Sequence, residues 1–530
     1  MYLSIFVGLF GLFQCASSAP TASQAPTATV EAGAVIGTAI STNGTSATVV
    51  NRYLGVPFAA SPTRFAPPAT PTPWSKPYDA TNFSFTCPQQ FNYPEAARNQ
   101  SMEFYNLGLQ ADEGEDCLNL NIWTPATPGR NKTVMVWIYG GGLNFGSNSL
   151  TVYDGTSFAA NQDVVVVSIN YRTNLYGFPG APQLPFDELN LGFLDQRFAL
   201  AWIQRNIHAF GGDPAKVTIF GESAGGASVD LLVLTHPKRP PFRAAITESG
   251  TAVLYSGLQP KNNPQPWNAM VQAVNCSNAS DILACVRAVP QPVLTSTIEH
   301  LANEFRPVID NITVPAHPET LRRSGKIAHV PILTGSNANE GRIFNLPSVN
   351  ATSAIPYITA LFSISDQQAQ ALASLYPIPS EYISNAYEQI SQIQTDFIFT
   401  CPAGLQFNGT HAAKIMSPWR YFYNASFANL NFGSVDLGVY HSSEIVSVFG
   451  TYPKVGTTRH QVRLSQYMQS AWATFAKNPA KGPGWKGWPN VEVLGSNATG
   501  QEAIGYSAPA RRVDSKCFAY QPIYKAVGVF

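Results

Sequence analysis

The chain has 530 residues, 45% of them hydrophobic, ample for a large core, while charged residues make up only 12%. Lys plus Arg and Asp plus Glu stand at 32 each, a balance that argues against a nucleic-acid binder and against a disordered, self-solvating chain. Length alone would suggest several domains, but no low-complexity linker or internal repeat divides the sequence, and large α/β enzymes reach this size as one domain with insertions.

At the N-terminus an apolar stretch from Leu3 to Phe13 passes into the small residues Cys15-Ala16-Ser17-Ser18-Ala19 and then a Pro/Thr/Ser-rich segment. It is too short to span a bilayer and reads as an export signal over 1–18, although no Lys or Arg precedes it. A short N-terminal membrane anchor is the alternative. Residues 19–530 would then form a single secreted, extracellular domain. Removing Cys15 leaves Cys87, Cys117, Cys276, Cys285, Cys401 and Cys517, an even set that suits an oxidising compartment. Spacing alone fixes none of their pairings; Cys276 and Cys285, which bracket a short loop, are the simplest pair to suggest. None has zinc-type spacing, so no metal is expected. Asn-x-Ser/Thr triplets at Asn43, Asn82, Asn99, Asn131, Asn278, Asn311, Asn350, Asn408, Asn424 and Asn497 add the expectation of a glycoprotein.

Further along, short β-branched runs predict buried parallel strands at Thr133–Tyr139, Val164–Tyr171, Val217–Phe220, Ala244–Thr247 and His329–Thr334. Asp195–Ile207 has helical spacing, with Asp195 expected in its first turn, and Ala224–Leu234 also reads as helix. Strands alternating with helices imply an α/β fold, a mostly parallel sheet with helices on both faces. The stretches 262–328 and 355–412 read as polar-faced helical insertions around the sheet's active edge.

Gly221-Glu222-Ser223-Ala224-Gly225 is weak as a bare GxSxG pattern, but its context is specific. A predicted strand enters it and a predicted helix leaves it, as in the nucleophile elbow of an α/β-hydrolase. The alternative, a surface serine in a Gly-rich turn, does not account for that context. A serine nucleophile needs a base and a base-orienting acid, which in this fold follow in the order Ser, acid, His. Of the eight histidines, His208 precedes Ser223, and His236, His300, His317 and His329 precede most plausible acids. His411, which opens a predicted helix, and His460, placed in a polar loop, are weaker than His441, which follows the apolar approach Leu437–Tyr440. Glu340 lies just past the strand ending at Thr334, where a parallel sheet delivers active-site groups. Its rivals Asp281, Asp310, Asp366, Asp396 and Asp436 fall mostly in helical or irregular polar stretches. Gly140-Gly141-Gly142 follows another strand and lets backbone N–H groups approach a substrate carbonyl. With the Ala224 N–H, Gly141 and Gly142 would form an oxyanion hole. A phosphate-binding loop would need a Lys-Ser/Thr or GxGxxG pattern that is missing.

The run Phe210–Gly225 resembles the type-B carboxylesterase/lipase signature along its length, and Glu115–Asn121 resembles the family's second signature. Tyr53–Ala59, Arg64–Pro68 and the helix from Leu194 to Ile207 are also similar to this family, so the resemblance spans most of the chain. It implies Ser223 as nucleophile, Glu340 as acid, His441 as base, and Gly141, Gly142 and Ala224 as the oxyanion hole. It further implies support roles for Ser249 and Glu444, and disulfides Cys87–Cys117 and Cys276–Cys285 as in the fungal branch. Cys401 and Cys517 sit where cholinesterase-like members carry a third. Leu143 stands where many members have an aromatic residue, implying a different acyl or alcohol pocket. The Cys87–Cys117 loop holds no Trp for a quaternary ammonium, so a choline ester is not expected.

The expected activity is hydrolysis of a small-molecule carboxylic ester through an acyl-enzyme on Ser223, with no cofactor, nucleic acid or stable membrane anchor. A lipase or sterol esterase, with the Cys87–Cys117 loop as a lid at a lipid interface, is a second reading. That loop mixes Phe91, Tyr93, Phe104, Tyr105, Leu107 and Leu109 with several acids, less apolar than such a lid needs. A non-catalytic adhesion homologue is a third, set against the retention of every catalytic part.

Overall fold

The computed structural model describes residues 25–42, 48–91, 93–106, 108–127, 129–256, 263–346, 350–380, 383–415, 418–431, 436–495 and 504–530. The segment 1–18 expected to be an export signal and the sequons Asn43 and Asn497 lie outside the described residues. The strands in chain order are β1 (Thr27–Val30), β2 (Gly33–Ile36), β3 (Thr38–Ser41), β4 (Val49–Pro57), β5 (Tyr78–Asp79), β6 (Asn119–Pro125) and β7 (Lys132–Ile138). They continue with β8 (Val165–Ile169), β9 (Gly212–Glu222), β10 (Ala244–Glu248), β11 (Ile332–Asn337), β12 (Trp419–Tyr423), β13 (Asn490–Leu494) and β14 (Gly505–Pro509). Eleven form one sheet in the order β14-β13-β12-β11-β10-β9-β7-β8-β6-β4-β3, while β1, β2 and β5 make a small separate one. From β8 to β13 the large sheet is parallel, and its two edges are antiparallel. The chain leaves β7 for β8 on one side and later places β9 on the other. That reversal opens a crevice at the carboxyl ends of the strands, where open α/β sheets bind ligands.

Every residue of β6, β8, β10 and β11 is buried; β8 is accordingly a nearly continuous apolar run, whereas β6 carries Asn119 and Asn121 inside. The five predicted strands all belong to the large sheet, with shifted bounds. β11 begins at Ile332 instead of His329, because Pro331 has no N–H and can only accept, from Ala245 N at 3.1 Å. The helix predicted from Asp195 starts at Leu191, so Asp195 is not in its first turn. Asp195 is wholly buried instead and pairs bidentately with Arg172, Nε–Oδ2 2.8 Å and Nη2–Oδ1 2.7 Å. Its charge serves an ion pair rather than the helix dipole.

The first insertion, between β10 and β11, carries helices Gln265–Ala273, Ile282–Ala288, Gln291–Leu301 and Pro318–Arg323, the first three sharing an apolar cluster with Leu175, Tyr176 and Leu191. The second, between β11 and β12, carries Ile355–Phe362, Asp366–Ala373, Ala386–Thr395 and Cys401–Ala412, which pack with the C-terminal Tyr520 and Tyr524. Cys401–Ala412 corrects the expectation of a polar face, since it is buried along most of its length. Its Gln406 is satisfied inside, donating to Asp230 Oδ1 (2.8 Å) and accepting from Thr247 Oγ1 (2.9 Å). His411 closes this helix instead of opening it and stacks on Trp488, centroids 3.7 Å apart. His460 lies buried in the first turn of helix Arg459–Lys477, not in a loop. Disulfides join Cys87 to Cys117, Cys276 to Cys285 and Cys401 to Cys517. No helix among the described residues is long and apolar enough to cross a membrane.

Candidate active site

β9 ends at Glu222 and helix Ala224–Thr235 begins two residues later, leaving Ser223 alone in the turn at φ 56°, ψ −124°. A non-glycine residue held there stores on the order of 1–3 kcal/mol of strain, which its surroundings must enforce. They do so by close packing. A Cβ on Gly221 would lie 2.5 Å from Ile138 O, and one on Gly225 only 2.0 Å from the same oxygen. The elbow therefore presses against the end of β7, and glycines are required on both sides of the serine. The Ser223 N–H donates to Glu248 O at 2.9 Å, fixing the turn to β10 as well.

The end of β7 supplies the neighbouring wall. A Cβ on Gly140 would fall 2.9 Å from Ser223 Cβ, so this glycine run lies directly against Ser223. Gly141 and Gly142 adopt φ 97° and 63°, and Gly141 O accepts from Asn144 N (3.0 Å) and Phe145 N (3.2 Å). Ala224, the first residue of its helix, has an N–H with no carbonyl one turn back to receive it. Leu143 is wholly buried in the main core.

Glu340 follows β11 and His441 follows β12, and the structure brings them together: His441 Nδ1 lies 2.6 Å from Glu340 Oε2. Glu340 is wholly buried, and its other oxygen accepts Asn337 N at 2.7 Å. His441 Nε2 is buried and makes no hydrogen bond within the protein. It lies 3.1 Å from Glu222 Oε1, off the hydrogen-bonding direction. Phe399 and Phe344 pack on the imidazole, centroids 4.6 and 5.1 Å away, with Phe399 presented by a π-helical turn at Asp396–Thr400.

Three more residues build the site without having been singled out from sequence. Glu222 sits inside the pentapeptide, and Ser442, next to His441, donates to its Oε1 at 2.7 Å. Asn337 donates through Nδ2 to Tyr440 O at 3.0 Å and to Glu444 Oε2, linking the loop of Glu340 to that of His441. The one available signal was adjacency, since each stands within three residues of a triad candidate. Ser249, one residue past β10, holds φ 48° with a buried hydroxyl that has no partner. Burial drives the Glu222 carboxyl well above its usual range, reinforced by Glu340 and Glu248 and opposed by the Ser442 bond. Burial likewise pushes Glu444 well up, aided by the charges of Glu222, Glu340 and Glu248 and opposed by Asn337. Glu248 rises to about 8, again by burial, with the Trp472 bond opposing. Among the described residues no His, Cys, Asp or Glu side chains converge in threes as metal ligands would.

A parallel sheet with a strained serine elbow at its switch point, an acid after β11 and a histidine after β12 is the layout of an α/β-hydrolase fold. The carboxylesterase family model matches residues 24–516, and the chain belongs to that family and is a carboxylic ester hydrolase. It is 33% identical to the acetylcholinesterase of Electrophorus electricus over 84% of this chain and 77% of that protein. It is 31% identical to the para-nitrobenzyl esterase of Bacillus subtilis over 84% and 90%, and 32% identical to carboxylesterase 1E of Rattus norvegicus over 93% and 94%.

Proposed function

We propose that the chain is an exported serine esterase in which Ser223 is the nucleophile, His441 the general base and Glu340 the acid that orients it. The observation that carries this reading is the placement of His441. One ring nitrogen is held by Glu340 at 2.6 Å, while the other is buried without a hydrogen bond beside Glu222, the residue immediately before Ser223. A neutral imidazole whose Nδ1–H is donated to a carboxylate presents a lone pair at Nε2, the form a base needs. Nε2 takes the Ser223 proton as Oγ attacks the ester carbonyl. The oxyanion is received by the N–H groups of Gly141, Gly142 and Ala224. His441 returns the proton to the departing alcohol, then activates a water that releases the acid. Ser249 and Glu444 support this frame from behind.

The three disulfides favour an oxidising compartment and so an exported protein. Asn82, Asn99, Asn131, Asn278, Asn311, Asn350 and Asn408 are exposed, as glycan acceptors need, and Asn424 is partly buried. Soluble small-molecule esters are favoured over lipid. A lid must swing, yet the Cys87–Cys117 loop is tied to helix Gln291–Leu301 and its end. Gln90 donates to Ile298 O (3.1 Å) and Asn303 O (2.8 Å), and Arg98 pairs with Glu299 at 2.9 Å. Fluorophosphonate labelling of the folded protein, lost in Ser223→Ala, tests the nucleophile. Absence of labelling would instead favour the adhesion reading. Turnover of emulsified triglyceride faster than of short soluble esters would favour the lipase reading.

A further inference from the structure

Three consecutive glycines make a loop able to approach substrate closely, but they also leave it the least restrained backbone in the site. Side-chain packing does not hold Gly142. A Cβ there would meet nothing nearer than Asn144 Nδ2 at 3.9 Å, so this residue faces open space. The loop is held by hydrogen bonds to its carbonyls instead. Gly141 O accepts from the backbone of Asn144 and Phe145, which orients the peptide plane carrying the Gly142 N–H. Leu143 O accepts from Asn174 N, and Asn144 O from Asn174 Nδ2 at 2.9 Å. The carbonyl between these anchors, Gly142 O, accepts from a residue far away in sequence: Arg306 Nη1, at 2.8 Å.

Arg306 projects from a firmly seated segment. Phe305 before it is buried in the apolar cluster of the first insertion, and Val308 after it exchanges two 2.9 Å hydrogen bonds with Asn190. Asp310 closes the segment by accepting Thr313 N at 2.7 Å. On its solvent side the guanidinium is aligned by Glu304, Nη2–Oε2 2.8 Å. A preset fork donating to a carbonyl is a geometry that a flexible ammonium reproduces only in part.

We propose that Arg306 is a positioning residue for the oxyanion hole. By holding Gly142 O it fixes the peptide plane following the Gly142 N–H, and so keeps that donor aimed at the carbonyl oxygen as it becomes tetrahedral. The proposal rests on the reading of Gly141 and Gly142 as oxyanion donors. Because the donor it aims matters most when negative charge develops, its loss falls on kcat and not on KM.

The test compares wild type, Arg306→Met and Arg306→Lys on a soluble ester and on a matched pair of inhibitors, a trifluoromethyl ketone and its methyl ketone. The first of the pair forms a tetrahedral adduct on the serine; the second does not. Expected for Arg306→Met is a kcat about tenfold lower with KM within about twofold, less than loss of an oxyanion donor itself. Trifluoromethyl ketone affinity falls in the same ratio, methyl ketone affinity is unchanged, and Arg306→Lys recovers part of both losses. Wild-type kcat and ketone affinity in both variants would overturn the role of Arg306 while leaving the oxyanion reading standing. Equal losses for both ketones would also overturn it, as a general binding defect. Wild-type protein that fails to prefer the trifluoromethyl ketone would remove the oxyanion reading itself, and the proposal with it.

Discussion

Glu248 offers a test of the site's electrostatics that does not depend on turnover. It is the last residue of β10 and wholly buried, with Oε1 accepting Trp472 Nε1–H at 2.9 Å and Oε2 without a partner. Burial pushes its carboxyl from an ordinary 4.5 up to about 8. At about pH 6.5 the side chain is therefore neutral when folded and ionised when unfolded, so unfolding releases about one proton from it. Because the folded value is the raised one, the stabilisation is complete below pH 4.5 and is lost as pH climbs to about 8, at roughly 1.4 kcal/mol per pH unit. Glu248→Gln keeps the shape and an acceptor for Trp472 but removes the proton. Rapid mixing into guanidinium at about pH 6.5, disulfides intact, with an indicator dye reporting acid release, measures the difference directly. The variant is expected to release about one proton fewer than wild type, and its thermal stability to fall less steeply between about pH 5 and 8. Equal proton release in the two proteins would refute a neutral buried carboxyl at this position.

Glu340→Gln is expected to lower kcat by about a thousandfold or more with little change in KM, because the amide no longer fixes the tautomer of His441; a loss below tenfold in steady-state assays would remove Glu340 from the triad. Glu222→Gln is expected to keep kcat/KM within about tenfold, since burial pushes that carboxyl well up and towards its neutral form; a loss above a hundredfold would show that its charge is needed. Gly225→Ala drives a Cβ to 2.0 Å from Ile138 O and is expected to abolish activity by displacing the elbow, whereas Gly142→Ala meets open space and bears only the strain of φ 63°. Equal activity of the two alanine variants in the same ester assay would refute the packing account of the elbow.

The inner sheet was legible in sequence because β7, β8, β10 and β11 are buried on both faces and so read as near-continuous apolar runs. β6 was not, although it is just as buried. Its Asn119 and Asn121 read as polar, yet they are satisfied inside, Asn121 accepting Gly55 N at 2.8 Å and donating to Asn148 O at 3.0 Å. The same cause hid the burial of Cys401–Ala412. Ser223, Glu340 and His441 could be nominated because chain order and strand ends constrain them, and the structure places each at the carboxyl edge. Glu222 was overlooked for a different reason: a carboxylate beside a serine reads as a solvated turn residue, and only the tertiary fold turns it inward to 2% exposure. Arg306 had no local signal, since its partner Gly142 lies in another part of the chain.

Four buried glutamates around one histidine pose an electrostatic problem, and burial itself resolves it. Glu340 reaches His441 Nδ1 and accepts a backbone N–H, two donors to one carboxyl. Glu222, Glu248 and Glu444 receive fewer strong donors, and desolvation drives all three towards the neutral form. The consequence is sharpest at Glu222. An ionised carboxylate 3.1 Å from Nε2 would draw a proton onto that nitrogen and occupy the position meant for the Ser223 hydroxyl. Burial, by pushing the Glu222 carboxyl up, lessens that competition for Nε2. The apolar setting that makes these acids weak thus also disfavours a competing anion beside the histidine.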